Sequence, residues 1–420
     1  MKYLILFLIV GACVFSVKAQ ERITVEMCQQ WARTNYPLVQ QFDLIRLSEE
    51  YNLSNAGKGN LPQFSVSAKA TLQTEVTRLP VQLPGIDIKE LSKDQYQAVA
   101  ELNQVIWNGG RTRAQKESIR KNTEVEKLQV EVQLYTLNEQ VNQLFFGVLL
   151  LSEQLEQNRL YQEELQVNYE KIASYIRNGV ANQADLDVIR VEQVNAGQKE
   201  TELTVMRKAY KEMLALLTGK NIVADQIMYV KPVLDSVNVK QVNRPELQLL
   251  DVQDKYYTQK RDLVNAGVRP GISLFVQGGY GRPGLNMLND KFSLFSIGGV
   301  RLSWNIGGFY TRKNDFRLID NSQQSLAVQR SVFLFNTDLQ VTRQSREIDK
   351  IRRLLSSDGE IVRLRNNIRV AAEAKVAHGI YTTTDLVREI NAEEQAKQTQ
   401  LLHRIQLMKA VYDLKYTVNN

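Results

Sequence analysis

Side chains able to do chemistry are sparse in this 420-residue chain, and their spacing says more than their number. Two histidines, His378 and His403, and two cysteines, Cys13 and Cys28, have no metal-ligand spacing, and neither a Gly-x-Ser-x-Gly elbow nor a phosphate loop occurs. The run Gly278-Gly279-Tyr280-Gly281-Arg282-Pro283-Gly284 is glycine-rich but ends a strand pattern and reads as a turn. What does recur is a helical turn. Gly179 is followed six residues later by Asp185-Leu186, and Gly379 six residues later by Asp385-Leu386, with Arg388 three residues beyond. Glycine there permits a left-handed backbone, and an aspartate near a helix start caps exposed N–H groups and meets the helix dipole. No catalytic residue, cofactor or metal site is expected, and the chain does not read as an enzyme.

These turns interrupt long helices. From Arg111 to Gly219 there is no proline, and Leu134, Leu137, Val141, Leu144, Val148, Leu151 and Leu155 step by 3 and 4 residues, the seam of a helix that supercoils on a neighbour. The returning limb carries Leu203, Met206, Tyr210, Met213 and Leu217 at the same spacing, so 111–219 is expected to zip as an antiparallel hairpin capped by Gly219. If Arg111 to Arg177 is one helix, it reaches roughly 100 Å at about 1.5 Å per residue. A second proline-free stretch, 309–418, breaks at Gly379. Within it Ser356-Ser357-Asp358-Gly359 predicts a kink or irregular turn, because an interior glycine costs about 1 kcal/mol relative to alanine.

The chain start reads as a secretory signal, residues 1–19: Lys2, an apolar run from Tyr3 to Val17, and Val17-Lys18-Ala19 as the cleavage site. A competing feature is Val10-Gly11-Ala12-Cys13, a lipobox-like run that would leave Cys13 lipidated. Cleavage after Ala19 leaves Cys28 as the lone cysteine, read as a small buried apolar residue. It also removes Lys2 and Lys18, so the formal charge falls from +7 to +5 (51 basic minus 46 acidic). With no dense Lys/Arg block carrying interleaved aromatics, nucleic acid is not an expected partner.

The period switches to two before each hairpin. Phe64, Val66, Ala68, Ala70 and Leu72 alternate with polar residues in a strand over 63–76, and Tyr96, Ala98, Ala100 and Leu102 mark another over 95–107, ending at Trp107-Asn108-Gly109-Gly110. Residues 77–94, with Pro80, Pro84 and Gly85, read as an exposed loop. Then the order repeats. Asn243-Arg244-Pro245 echoes Asn35-Tyr36-Pro37, and Arg269-Pro270 echoes Leu61-Pro62, each proline pair 25 residues apart. Strands over 271–281 and 292–305 follow, the second ending in Trp304-Asn305-Ile306-Gly307-Gly308. The chain therefore divides into a first repeat, 20–219, an equatorial linker, 220–242, and a second repeat, 243–420. Trp107 and Trp304 are either interfacial anchors or packing residues under the strands.

Four half-apolar strands of about 9 to 11 residues or more are long enough to cross an outer membrane at a tilt. No strand edge can stay unpaired in lipid, so four strands alone cannot span and several copies must share one barrel. Two copies give eight strands and three give twelve.

The duplicated Asn-x-Pro helix, the strand ending in Trp and Gly-Gly, and the Gly-x5-Asp-Leu turn together resemble the TolC-type outer membrane efflux family over the whole mature chain. The resemblance implies a mainly α fold with β: a homotrimer with a twelve-stranded outer membrane barrel, four strands per protomer, continued by a twelve-helix periplasmic tunnel. It implies a passive exit duct of a Gram-negative cell for drug efflux or type I secretion, docked on a periplasmic adaptor that connects it to an inner membrane transporter. The periplasmic mouth would lie at the two turns. Asp185, Asp385 and Arg388 would stand at the constriction, and Gly179, Val180, Ala181, Gly379, Ile380 and Tyr381 would form the tips that meet the adaptor. Three copies of Asp385 would repel, attract cations and raise one another's pKa; Arg388, where relatives place a second carboxylate, would offset them. The tyrosine and arginine that lock the mouth in those relatives are replaced by Val376 and Tyr381. The competing architecture is a periplasmic adaptor-like coiled-coil protein, which ordinarily has one hairpin rather than two.

Overall fold

The computed structural model describes residues 22–77, 91–179, 181–225, 227–234 and 237–419. The signal segment, Cys13, Val180 and most of the 77–94 loop lie outside the described residues. In chain order the elements are β1 (Arg22–Ile23), α1 (Val25–Asn35), a 3-10 turn (Pro37–Gln40), α2 (Gln41–Lys58), β2 (Gln63–Leu72), β3 (Asp94–Trp107), α3 (Arg111–Tyr135), α4 (Leu137–Arg177) and α5 (Gln183–Thr218). There follow β4 (Met228–Tyr229), α6 (Pro245–Gly267), β5 (Gly271–Arg282), β6 (Ser293–Ser303), α7 (Gly308–Ala377) and α8 (Thr383–Val418). Among the described residues no helix is long and apolar enough to cross a membrane.

The chain forms two compact units, each drawing on both sequence repeats. The first comprises the described residues of Met1–Val39, Gln133–Arg244 and Asn336–Asn420. In its core, β1 pairs in parallel with β4, and Ile23, Val25 and Cys28 bury against Val141, Phe145 and Phe146 of α4, Leu214 of α5 and Tyr412 of α8. Phe145 meets Phe146 edge-on at 5.8 Å, and Phe146 lies 5.3 Å from Tyr412, the ring geometries that aromatic quadrupoles favour. Burial pushes the Cys28 thiol up to about 12, so it packs as an unreactive apolar residue. The α4 seam is buried as its spacing requires, from Leu137 through Leu151. On α5 Leu203 of the expected seam is buried and Tyr210 and Leu217 pack against the core, but Met206 and Met213 are exposed and the rest of the buried stripe is Ile189, Ala196, Lys211, Leu214 and Thr218. A step of one residue turns a helix by about 100°, and α5 is rotated so that Tyr210 fits over Gly147, where an added Cβ would lie 2.4 Å from the ring.

Two helical expectations change. The helix expected from Arg111 to Arg177 is divided at Thr136, whose backbone stays helical (φ −63, ψ −21) and whose hydroxyl turns back to donate to Gln133 O at 2.8 Å. The kink expected at Ser356–Gly359 is absent, and α7 runs through it. Asp358 is buried there and accepts or shares a hydrogen bond with His403 Nδ1 of α8 at 2.8 Å, and the packing that this contact reflects outweighs the roughly 1 kcal/mol that glycine costs a helix.

The second unit, Gln40–Val132 and Pro245–Phe335, holds α2, α3, α6 and a four-stranded antiparallel sheet of order β2-β3-β5-β6. Observed strands end within a few residues of the pattern, the largest difference being β2, which stops at Leu72. The register aligns Phe64 with Leu102, Leu102 with Val276, and Val276 with Gly298. Because side chains alternate along a strand, this puts Phe64, Val66, Leu72, Tyr96, Leu274, Val276, Leu294 and Val300 on one face, all exposed. One irregularity, between Val105 and Trp107, interrupts the β3–β5 ladder before its last pair, Trp107 with Ile272. Trp304 donates from its indole to Val268 O at 2.9 Å, so its polar handle serves local packing at the end of β6.

Candidate functional site

The two helical turns lie in the first unit and close on one core. Ala181, Leu186, Tyr381 and Leu386 all pack against the cluster of Leu165, Ile172, Ile189 and Ile390. Gly179 and Gly379 both have φ of +72° with open space where a Cβ would stand, so each is required for backbone conformation alone. Both following helices start with a reciprocal capping box. Asn182 Oδ1 accepts from Asp185 N–H at 3.2 Å while the Asp185 carboxylate accepts from Asn182 N–H at 3.0 Å. Thr382 and Asp385 do the same at 3.1 Å each way, and the Thr382 hydroxyl donates to Asp385 at 2.7 Å.

Within one chain these bonds decide the ionisation of Asp385. The Thr382 hydroxyl and N–H, joined by Arg388 at 3.4 Å, hold its carboxyl below the ordinary aspartate range. The charge is thus kept on an exposed carboxylate at the turn, and Arg388 partly offsets it. The tip residues differ among themselves. Ile380 is 69% exposed. Tyr381 folds back on α7, where Lys375 donates to its hydroxyl at 3.2 Å and lies 4.4 Å from its ring centroid. Ile380 is therefore the apolar group free at this turn, and Tyr381 is a strut.

A charged cluster beside the turns has no counterpart among the sequence-level candidates. Arg369 of α7 reaches Glu393 of α8 at 2.5 Å and Glu164 of α4 at 3.0 Å, and it also pairs with Glu373. Lys397 closes on Glu393 at 2.8 Å. Two cations thus face three carboxylates, and Glu393 is almost fully buried. Burial, with Glu393 and Glu373 nearby, raises the Glu164 pKa despite Arg369 and Lys397. Burial also works against the Arg369 charge, but its bond to Glu393 and the fields of Glu164 and Glu373 win, and the net shift is upward. The signal for this cluster was present: Glu393 follows Leu386 and Ile390 on the packed stripe of α8, where a charge must find a partner.

On the sheet of the second unit, the face opposite the apolar one is a polar strip. Gln277 donates to Glu101 at 2.5 Å and Arg301 donates to the same carboxylate at 2.9 Å, with the Arg301 guanidinium 4.5 Å from the Phe275 ring centroid. On the apolar face, at one end of the sheet, Tyr280 and Tyr96 stack on Phe292 at 5.4 and 6.3 Å, and Arg282 covers Phe292. Among the described residues β2 and β6 are the sheet's outer strands and each pairs on one side.

The sequence matches no protein-family model and no curated protein. Solved structures do match. The outer membrane protein VceC from Vibrio cholerae superposes with a TM-score of 0.66 at 12% identity, over 94% of this chain and 96% of that one. The Campylobacter jejuni CmeC outer membrane channel gives 0.62 at 13% identity, over 94% and 85%. The open state of the Neisseria gonorrhoeae MtrE outer membrane channel gives 0.63 at 13% identity, over 94% and 89%. At these identities the likeness is one of fold, and it extends over nearly the whole chain.

Proposed function

We propose that this chain is a TolC-type outer membrane exit duct, a passive and non-catalytic channel that assembles from several copies. The observation that carries the reading is the sheet: four antiparallel strands with one exposed apolar face, a polar face and, among the described residues, a free side on each outer strand. β3 and β5 are 14 and 12 residues long, enough for a tilted crossing of the hydrocarbon layer. A free strand edge in lipid leaves backbone groups unpaired at several kcal/mol each, so β2 must pair with β6 of another copy. Three copies give a twelve-stranded barrel, an even-stranded closure of the kind outer membranes hold, and three is the number that the resemblance of the sequence to the TolC-type family implies.

In this reading the chain sits in the outer membrane of a Gram-negative cell with its helices in the periplasm, as a twelve-helix tunnel. The turns at Gly179 and Gly379 form the periplasmic mouth, Ile380 meets an adaptor, and Asp385 and Arg388 line the constriction. An inner membrane transporter supplies the energy for efflux or type I secretion. The test is conductance: purified protein in planar bilayers should conduct weakly, and Asp385→Ala should conduct more strongly. An absence of current from both, under conditions that relax the mouth, would contradict the duct.

A further inference from the structure

Arg207 and Lys211 stand one turn apart on α5 and so share a side of that helix, where like charges repel. Lys211 has the further cost of burial: it interrupts the apolar stripe between Leu203 and Leu214 and is only 4% exposed. A lysine so placed needs a close counter-charge. The one it has is loosely held. Lys211 Nζ lies 3.3 Å from Asp225 and 3.4 Å from the Val223 carbonyl, with the Tyr229 ring centroid at 5.9 Å. Arg207 also reaches Asp225 at 3.3 Å, and on the same oxygen, Oδ1. A single carboxylate oxygen therefore serves two cations, at distances beyond the roughly 2.7–2.9 Å of a strong charge-assisted bond, and the Asp225 side chain is 84% exposed.

These groups line a cleft of about 530 Å³ between α4, α5 and the segment through β4. Leu149, Ile227 and Met228 supply its apolar lining. Lys231 and Glu153, also on the lining, pair at 2.6 Å and offset one another. What remains is two cations, one of them buried, against one exposed acid. A cavity of this size with a few placed charges on an apolar lining has the make-up of a small-molecule site, and it is far roomier than a lone inorganic ion requires.

We propose that this cleft binds an organic anion whose carboxylate head seats between Arg207 and Lys211 in place of the Asp225 side chain, and whose short apolar body lies along Leu149, Ile227 and Met228. The exchange favours the ligand. An entering carboxylate can give one oxygen to each cation, whereas Asp225 offers both the same oxygen; and Asp225, once released, is solvated, while buried Lys211 has no such recourse to water. None of these residues belongs to the two turns or to the four-stranded sheet, so the site stands or falls apart from the duct.

The test is equilibrium dialysis of the full-length protein in detergent against labelled hexanoate, a carboxylate with a short apolar tail. A saturable site in each chain is expected. Unlabelled hexanoate should compete for it, while hexan-1-ol, a tail without charge, and inorganic phosphate, a charge without a tail, should not. Lys211→Met keeps the length and burial of the side chain without its charge and should abolish the site; Arg207→Gln, at a less buried position, provides the same test if Lys211→Met fails to fold. Asp225→Ala trims an exposed side chain and should tighten hexanoate binding several-fold, because the competing carboxylate is gone. A purely structural ion cluster behaves in the opposite way: Asp225→Ala would lower Tm and retain no hexanoate. Equal retention by the wild type and Lys211→Met, or binding to Asp225→Ala no tighter than to the wild type, would overturn the site. Phosphate that competes as well as hexanoate would overturn the organic class of ligand.

Discussion

The carboxylate of Asp385 accepts from both the N–H and the hydroxyl of Thr382, so one group caps α8 and carries charge at the turn. The two roles separate by substitution. Asp385→Asn keeps a side-chain acceptor for the cap but removes the charge, and should shift the cation preference of single-channel currents with little change in Tm. Thr382→Ala removes the cap acceptor at a cost of about 1 kcal/mol and should lower Tm while leaving the ion preference in place. If Asp385→Asn instead lowers Tm and leaves the currents alone, the residue is a cap only. At Glu164 the sign of the pH effect follows from its raised folded pKa. Such a group favours the folded state fully below its unfolded value, near the model-peptide glutamate, and loses that contribution as pH rises through the folded value. Glu164→Gln should therefore raise Tm at neutral pH and flatten the rise in stability on mild acidification, measured by thermal melts from neutral to weakly acid pH. Arg369→Ala leaves buried Glu393 with Lys397 as its cation while Glu164 and Glu373 lose theirs, and should cost on the order of 3 kcal/mol.

Among the elements, the strands were the most legible in sequence, because alternation such as Phe64-Ser65-Val66-Ser67 has one physical meaning and the backbone register then fixes which residues share a face. The two faces give opposite expectations. Val276→Lys, on the apolar face, should cost roughly 2–4 kcal/mol at a bilayer midplane and reduce assembled protein in outer membranes. Ser273→Lys, on the polar face, should assemble normally. Equal tolerance at the two positions would mean that the apolar face does not meet lipid. Helix ends were legible where a glycine or a cap marks them, at Gly179, Gly219 and Gly379. The uninterrupted α7 was not, because the contact that accompanies Gly359 through the helix is Asp358 to His403, 45 residues away in sequence. The rotation of α5 was hidden for the same reason: it depends on Tyr210 lying over Gly147, a packing fact between two helices whose separate periodicities are satisfied either way. Gly147→Ala should force that ring aside and cost about 1–3 kcal/mol, readable as a lower denaturation midpoint. The Arg369 cluster lay between these cases: Glu393 on an apolar stripe announced a partner, and only the fold identified it.

For the whole molecule, the chain has more surface suited to burial than it buries. The apolar face of the sheet and side chains such as Val191, Val205 and Leu216 of α5 and Leu339, Leu354 and Leu364 of α7 are exposed in one copy, and among the described residues β2 and β6 each pair on one side only. Each is costly in a lone chain, and the proposed duct answers the sheet's share of that cost by pairing strand edges between copies in lipid. Composition alone could not separate this from a soluble helical protein, since no helix among the described residues has the apolar length of a membrane span; the membrane signal lies in strands whose apolar residues are diluted by alternation. The most direct measurement is the mass and image of the particle extracted by detergent from outer membranes, by light scattering and electron microscopy. Three copies closed into a hollow barrel with a helical tunnel are expected. A single copy that stays in solution without detergent would mean that the sheet folds against its own chain, and would contradict the duct.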